Sequence, residues 1–150
     1  MNKLINKLVA AYPQFTFVKG TQAHWSPQDK KVVYERSNAE EATWTLLHEL
    51  GHALLDHQSY QSDAHLLQKE IGAWQQARAL AFENDIRIDE GYIEDCLDTY
   101  KDWIYKRSTC PTCSMHGLQQ RVDRYNCLNC KTTWKVSSAR FCRPYRLTQT

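Results

Sequence analysis

The sequence predicts an α+β protein with two domains, a larger one over residues 1–107 and a small C-terminal one over residues 108–150. Three observations predict this organisation. Apolar residues recur at helical spacing in four segments, two short β-prone runs flank a turn, and two Cys-x-x-Cys pairs follow the last helical segment. A chain of 150 residues is long enough for one domain with its own core and a small additional module.

The first elements of the larger domain are a helix and a small β-structure. The helix begins near the N-terminus and ends before Pro13, which cannot continue it. A strand is predicted at residues 15–18. Residues 23–25 and 31–34 are β-prone and flank a Ser-Pro-Gln-Asp turn, so they predict a hairpin.

Three longer helices are predicted after the hairpin. The first runs from a Ser-x-x-Glu capping pattern at residues 37–40 to about His57. The second covers about residues 64–84. The third is capped by Asp89 and runs to about Lys106.

The cysteines predict a structural metal site. Four of the six form two Cys-x-x-Cys pairs separated by thirteen residues, a spacing typical of a tetrahedral zinc site in a zinc ribbon and not of disulfides. Such a site stabilises a module too small to fold on its core alone. The predicted ligands are Cys110, Cys113, Cys127 and Cys130. The remaining two, Cys96 and Cys142, are expected to be packed thiols and not metal ligands.

A second zinc site is predicted on the helix over residues 37–57. His48 and His52 lie four residues apart, so both imidazoles project from one face and can bind one ion. Glu49 lies beside them in a His-Glu-x-x-His pattern, in which the glutamate acts as general base and the two histidines bind zinc. Zn²⁺ lowers the pKa of its bound water, so that hydroxide can form at neutral pH and attack a carbonyl carbon. The predicted reaction is hydrolysis of a peptide bond.

A catalytic zinc ion needs a third protein ligand, and three residues compete for this role. Glu70 is favoured, because it lies on the next helix, and small residues two, three and seven positions after it would let two helices approach closely. His57 can reach the ion only if the helix has ended before it. His65 lies in a loop or at a helix start. The residue that stabilises the oxyanion stays open among Arg78, Tyr92 and Tyr100.

At these positions the sequence resembles the ImmA/IrrE-like metallopeptidases. The resemblance covers about residues 15–85 and is carried by Leu-Leu-His-Glu-Leu-Gly-His-Ala-Leu-Leu at residues 46–55 and by Glu70-x-x-Ala-x-x-x-Ala. It implies a small zincin-like domain, with His48, His52 and Glu70 as zinc ligands and Glu49 as the catalytic residue. It also implies cleavage of a protein, in several members a DNA-binding regulator.

The chain departs from that family at two points. Trp74 stands where an Asn or Asp often holds a ligand histidine, so this outer contact is expected to be missing. The C-terminal module is a zinc ribbon and not a helix-turn-helix. A zinc ribbon also follows the His-Glu-x-x-His helix in SprT-like proteases, which the chain resembles less closely and which act on DNA-bound protein with a third histidine.

Charge is distributed unevenly between the two predicted domains. Residues 1–105 carry ten Lys and Arg against sixteen Asp and Glu, whereas residues 106–150 carry nine against one. The basic module predicts contact with nucleic acid or an acidic partner, and a binding protein without catalysis is the alternative to a protease. The sequence has no apolar run long enough to cross a membrane and no signal-peptide pattern, so a cytoplasmic protein is expected.

Overall fold

The described residues, 1–37, 39–139 and 146–149 of a computed structural model, form four helices and two small sheets. The α+β class predicted from the sequence is confirmed. The helices are α1 (Asn2–Ala11), α2 (Glu40–Leu54), α3 (Asp63–Glu83) and α4 (Glu90–Ser108). The strands are β1 (Thr16–Gly20), β2 (His24–Ser26), β3 (Lys31–Glu35), β4 (Leu118–Arg121), β5 (Arg124–Asn126), β6 (Thr133–Val136) and β7 (Arg146–Gln149).

The described chain divides into two compact units that differ in extent from the predicted domains. Unit 1 contains residues 1–59 and 69–93, and unit 2 contains residues 60–68 and 94–150. Of the three boundaries, the first lies between α2 and α3, the second inside α3 and the third inside α4. The division into domains 1–107 and 108–150 that was expected from the sequence therefore stays a prediction.

Unit 1 contains a three-stranded sheet in the order β1-β3-β2. The hairpin predicted from the turn is confirmed, because β2 pairs antiparallel with β3, and β1 pairs parallel with β3. Val32 and Tyr34 of β3 are buried, and α2 contacts this strand. Leu46, Leu47 and Leu50 give α2 a fully buried apolar face, so the helix with the His-Glu-x-x-His pattern belongs to the core of the unit.

Unit 2 contains a four-stranded antiparallel sheet in the order β4-β5-β6-β7. Its core is small and aromatic. Tyr125 and Trp134 are buried and stack with their ring centroids 5.6 Å apart, so they serve as core residues, as expected for a ribbon of this size. The sulfur-bearing residues Cys110 and Cys127 are buried in the same cluster.

A buried ion pair inside unit 2 connects the first residue of α3 to the last turn of α4. Asp63 Oδ2 accepts hydrogen bonds from Arg107 Nε at 2.7 Å and from the Tyr125 hydroxyl at 2.5 Å, and Oδ1 accepts one from Gln119 Nε2 at 3.0 Å. The side chains of Asp63 and Arg107 are only 1% and 2% exposed. Burial, and then the Asp63 carboxylate, raises the pKa of Tyr125 well above its usual range, so its hydroxyl stays a donor.

Asp63→Ala should lower the free energy of unfolding of unit 2 by about 3–5 kcal/mol, because it leaves the Arg107 guanidinium buried without its anion. Denaturant titration would measure the loss. Asp98→Ala is the matched control, since Asp98 pairs with Lys101 at the same distance of 2.7 Å but is 63% exposed, and it should change stability far less. Equal losses in the two variants would contradict a stabilising role for the buried pair.

Candidate metal centres

Three of the predicted ligands converge in unit 1. His48 Nε2 and His52 Nε2 lie 3.1 Å apart, and Glu70 Oε2 lies 3.2 Å from the first and 3.6 Å from the second. A tetrahedral zinc ion with nitrogen and oxygen ligands at their usual distances separates those ligand atoms by about 3.3 Å. The spacing of the three donor atoms therefore fits a metal ion of this kind, and the group could hold one.

Small residues on α2 and α3 bring the three donors together. A Cβ atom at Gly51 would lie 2.5 Å from the backbone oxygen of Ala73, so the two helices approach too closely there for any larger residue. Ala73 and Ala77 are fully buried. The close approach expected from these small residues is confirmed, and it places Glu70 within reach of the α2 histidines.

The charge state of Glu70 suits a ligand. Burial alone would raise the pKa of its carboxyl, but hydrogen bonds with His48 and His52 outweigh burial and hold the pKa well below its usual range. The carboxylate is therefore ionised at neutral pH while only about a tenth exposed. Two imidazoles and one carboxylate form a donor set typical of catalytic zinc, which leaves further coordination positions open.

Glu49 lies next to the ligand group without belonging to it. It is half-buried on α2, and within the described part of the chain its carboxylate has no hydrogen-bond or ion-pair partner. A carboxylate that no side chain engages is available to accept a proton. Its role as general base stays a prediction.

The two histidines considered as alternative third ligands are outside the group. His57 contacts the other side of His52, where the two Nδ1 atoms lie 2.7 Å apart. Burial, followed by the neighbouring His52 and Lys69, lowers the pKa of His57 to about 4, so its ring is neutral at physiological pH. His65 lies in unit 2, where its Nδ1 accepts the backbone N–H of Gln61 at 3.3 Å.

Trp74 packs on His48 where a side chain that hydrogen-bonds to this histidine was expected to be missing. The Trp74 ring packs on the His48 imidazole with centroids 4.2 Å apart, and the buried Nδ1 of His48 has no hydrogen-bond partner among the described residues. The hydrogen bond to a ligand histidine that was expected to be missing is therefore absent for His48 among the described residues. Tyr92 and Trp44 continue this aromatic cluster, which sequence analysis did not identify around the site.

The three candidates for oxyanion stabilisation have different surroundings. Arg78 makes a bidentate ion pair with Glu90, with nitrogen–oxygen distances of 2.6–3.1 Å. Tyr92 packs edge-on against Trp74 and lies 3.5 Å from the Thr45 hydroxyl. Tyr100 belongs to unit 2.

Unit 2 brings the four predicted cysteine ligands together. Sγ–Sγ distances of 3.6 Å (Cys110 to Cys130) and 3.5 Å (Cys113 to Cys127) are near the value of about 3.8 Å that a tetrahedral zinc–thiolate site requires. The group could hold a metal ion, as predicted. Cys96 is half-buried on α4 and lies outside this group, and Cys142 lies outside the described residues.

Each cysteine pair is folded by the same backbone turn. Ser114 and Lys131, the residues directly after the two pairs, both have φ of 62°, in the left-handed region. Their N–H groups donate to the carbonyl oxygens of Cys110 and Cys127, each at 3.0 Å. The same turn, formed twice, therefore brings the four sulfur atoms close together.

One of these thiols is acidic even without a metal. Hydrogen bonding with the side chain and backbone of Thr132 lowers the pKa of Cys130 to about 6, and hydrogen bonding with Asn129 lowers the pKa of Cys113. Thiolates are the form that binds zinc. The hydrogen bonds in these turns thus favour the thiolate forms of Cys130 and Cys113, which bind a metal cation.

Comparison with protein-family models, curated proteins and solved structures found no match. No helix among the described residues is long and apolar enough to cross a membrane.

Proposed function

We propose that the chain is a zinc-dependent endopeptidase. The observation that carries this proposal is the convergence of His48, His52 and Glu70 at tetrahedral spacing, with an unengaged glutamate beside them. Three protein ligands leave room for water and substrate, whereas a structural site uses four. The two metal centres therefore have different roles, a catalytic one in unit 1 and a structural one in unit 2.

The proposed roles follow from the positions of the side chains. His48, His52 and Glu70 hold the cation, which when bound supplies a Lewis acid that activates water and polarises the scissile carbonyl. Glu49 takes a proton from the attacking water as the new carbon–oxygen bond forms. It then gives that proton to the amine as the carbon–nitrogen bond breaks.

The resemblance to ImmA/IrrE-like metallopeptidases suggests a protein substrate, a DNA-binding regulator in several members. The ligand group contains Glu70 and not His57, which favours this resemblance over the SprT-like one with its third histidine. Cysteines at metal-ligand spacing, and not in a disulfide framework, fit a reducing compartment, so a cytoplasmic location is part of this proposal.

A second candidate function is nucleic-acid or protein binding by the ribbon without catalysis. Exposed cations on the described part of unit 2 support it, namely Arg121, Lys131 and Lys135. The exposed basic excess is smaller than the sequence suggests, because Arg107 is buried against Asp63. Lys135 lies 3.2 Å from Asp123, the one acidic residue already included in the count. Binding to DNA or RNA that weakens steeply with salt, without any cleavage of protein, would favour this candidate.

Elemental analysis tests the two-centre proposal directly. The purified protein should carry about two equivalents of zinc, and His48→Ala should carry about one, because a two-ligand remnant binds zinc weakly. His65→Ala is the control, since that histidine is outside both groups, and it should keep about two equivalents. If the wild type carries about one equivalent that His48→Ala does not change, even after added zinc, the catalytic site is not a zinc site.

A further inference from the structure

The end of α2 is a turn that returns the chain onto the metal ligand His52. The N–H of Asp56 donates to the carbonyl of Ala53 at 3.1 Å, and the N–H of His57 donates to the carbonyl of His52 at 3.0 Å. Asp56 has φ of 47°, so it occupies the left-handed position. This pair of hydrogen bonds around a left-handed residue is the Schellman motif.

The Schellman motif decides which residue meets His52. In this motif the second residue beyond the cap lies over the residue that accepts its N–H, and the two side chains commonly touch. Here those residues are His57 and His52, and their rings contact with centroids 4.9 Å apart. Trp25 fixes the turn from the other side, since its Nε1–H donates to the His57 carbonyl at 3.0 Å.

The contact joins the nitrogen of His52 that faces away from the ligand group. His52 Nε2 faces Glu70 Oε2 at 3.6 Å and His48 Nε2 at 3.1 Å, while Nδ1 lies 2.7 Å from His57 Nδ1. An imidazole that binds a metal through Nε2 carries its proton on Nδ1, and that proton needs an acceptor. His57 Nδ1 is the acceptor that the chain offers.

We infer that His57 is a positioning residue, whose ring accepts the Nδ1 proton of His52 and thereby holds the Nε2 lone pair towards the catalytic cation. This inference rests on the proposed metal site. It gives the two ligand histidines different supports, a hydrogen bond for His52 and aromatic packing by Trp74 for His48. His57 therefore acts by orienting the ligand His52 and is not itself a metal ligand.

The test compares the wild type with three variants, His57→Phe, His57→Gln and His65→Phe. Competition with a chelator measures the zinc affinity of the unit 1 site, and NMR detects an imidazole proton. His57→Phe keeps a ring but removes the acceptor, and it should weaken zinc binding by about 10- to 100-fold. His57→Gln retains an acceptor and should recover most of that loss. His65→Phe is the matched control and should bind zinc as the wild type does.

The proton shared by the two rings gives a readout that does not depend on metal. In the metal-free wild type, one imidazole N–H proton should be protected from solvent exchange in the NMR spectrum, and it should be absent in His57→Phe. Equal zinc affinity in wild type and His57→Phe, or a wild type without this protected proton, would overturn the inference. A wild type that binds no zinc in unit 1 would instead contradict the proposed function, and the proton signal would still decide whether His57 holds His52.

Asp56 supplies a second variant that leaves both rings intact. Asp56→Gly keeps the left-handed turn and should leave zinc affinity unchanged, because glycine adopts that conformation readily. Asp56→Val disfavours the turn and should weaken zinc binding in the same direction as His57→Phe, because it displaces His57 from His52. Loss of affinity in Asp56→Gly equal to that in Asp56→Val would count against this account of the turn.

Discussion

Glu49→Gln should lower peptide hydrolysis by about 10²- to 10⁴-fold while leaving both metal sites filled, because an amide keeps the size of the side chain but cannot take a proton from water. The half-buried carboxylate has no partner among the described residues, so its loss should not disturb the fold. Hydrolysis can be followed by mass spectrometry on a defined peptide mixture, with zinc content measured on the same sample.

The control for this variant is Glu41→Gln, the same substitution on an exposed position of the same helix. It should leave both hydrolysis and zinc content unchanged. Equal hydrolysis by Glu49→Gln and wild type would show that Glu49 is not the general base. Loss of one zinc equivalent in Glu49→Gln would show that it is a ligand, contrary to the assignment made here.

Cys110→Ser should remove the structural metal and unfold unit 2. Structural zinc sites contribute about 10–16 kcal/mol of apparent binding energy at neutral pH, more than a small core can replace. The variant should carry about one zinc equivalent fewer than wild type. Limited proteolysis should then cut the ribbon strands β4 to β6, which should resist cleavage in the wild type.

Cys96→Ser separates the loss of a ligand from the loss of a thiol. Cys96 lies in unit 2 but outside the sulfur cluster, so its replacement should leave zinc content and protease resistance as they are. Protease resistance of the ribbon in Cys110→Ser would show that unit 2 does not depend on the metal. Insolubility of the whole chain would show that unit 1 does not stay folded without it.

The sequence predicted those parts of the structure that depend on short spacings. The His48–His52 pair follows from helical geometry, and the four cysteines follow from two Cys-x-x-Cys pairs. The hairpin and α1 follow from a turn and a proline. In each case the residues that specify the structure lie within a few positions of one another, so no knowledge of tertiary packing is needed.

The sequence favoured Glu70 as the third ligand but left His57 and His65 open as alternatives. The alternatives depended on where α2 ends, and it ends at Leu54, three residues before the predicted His57. The cause is the left-handed conformation of Asp56, a residue that adopts it only in some contexts. Ser37 illustrates the same limit, since its Oγ accepts the N–H of Ala39 and the helix begins later, at Glu40.

The buried network of unit 2 had no signal in the sequence. Asp63 lies just before the helix predicted from about residue 64, and Arg107 is one of the nine cations counted over residues 106–150. They meet across 44 positions of the chain. Burial of such a pair depends on packing that no local pattern encodes.

The Asp63–Arg107 pair also has a consequence for the order in which the protein forms during synthesis. All residues of unit 1 have left the ribosome once residue 93 is exposed, whereas residues 60–68 of unit 2 must wait for partners that emerge later. Closing the loop between Asp63 and Arg107 costs about 3 kcal/mol of chain entropy before the ion pair compensates for it. Unit 1 can therefore fold co-translationally, whereas unit 2 folds only after Arg107 and Tyr125 have been released, and the Asp63 carboxylate stays hydrated until then.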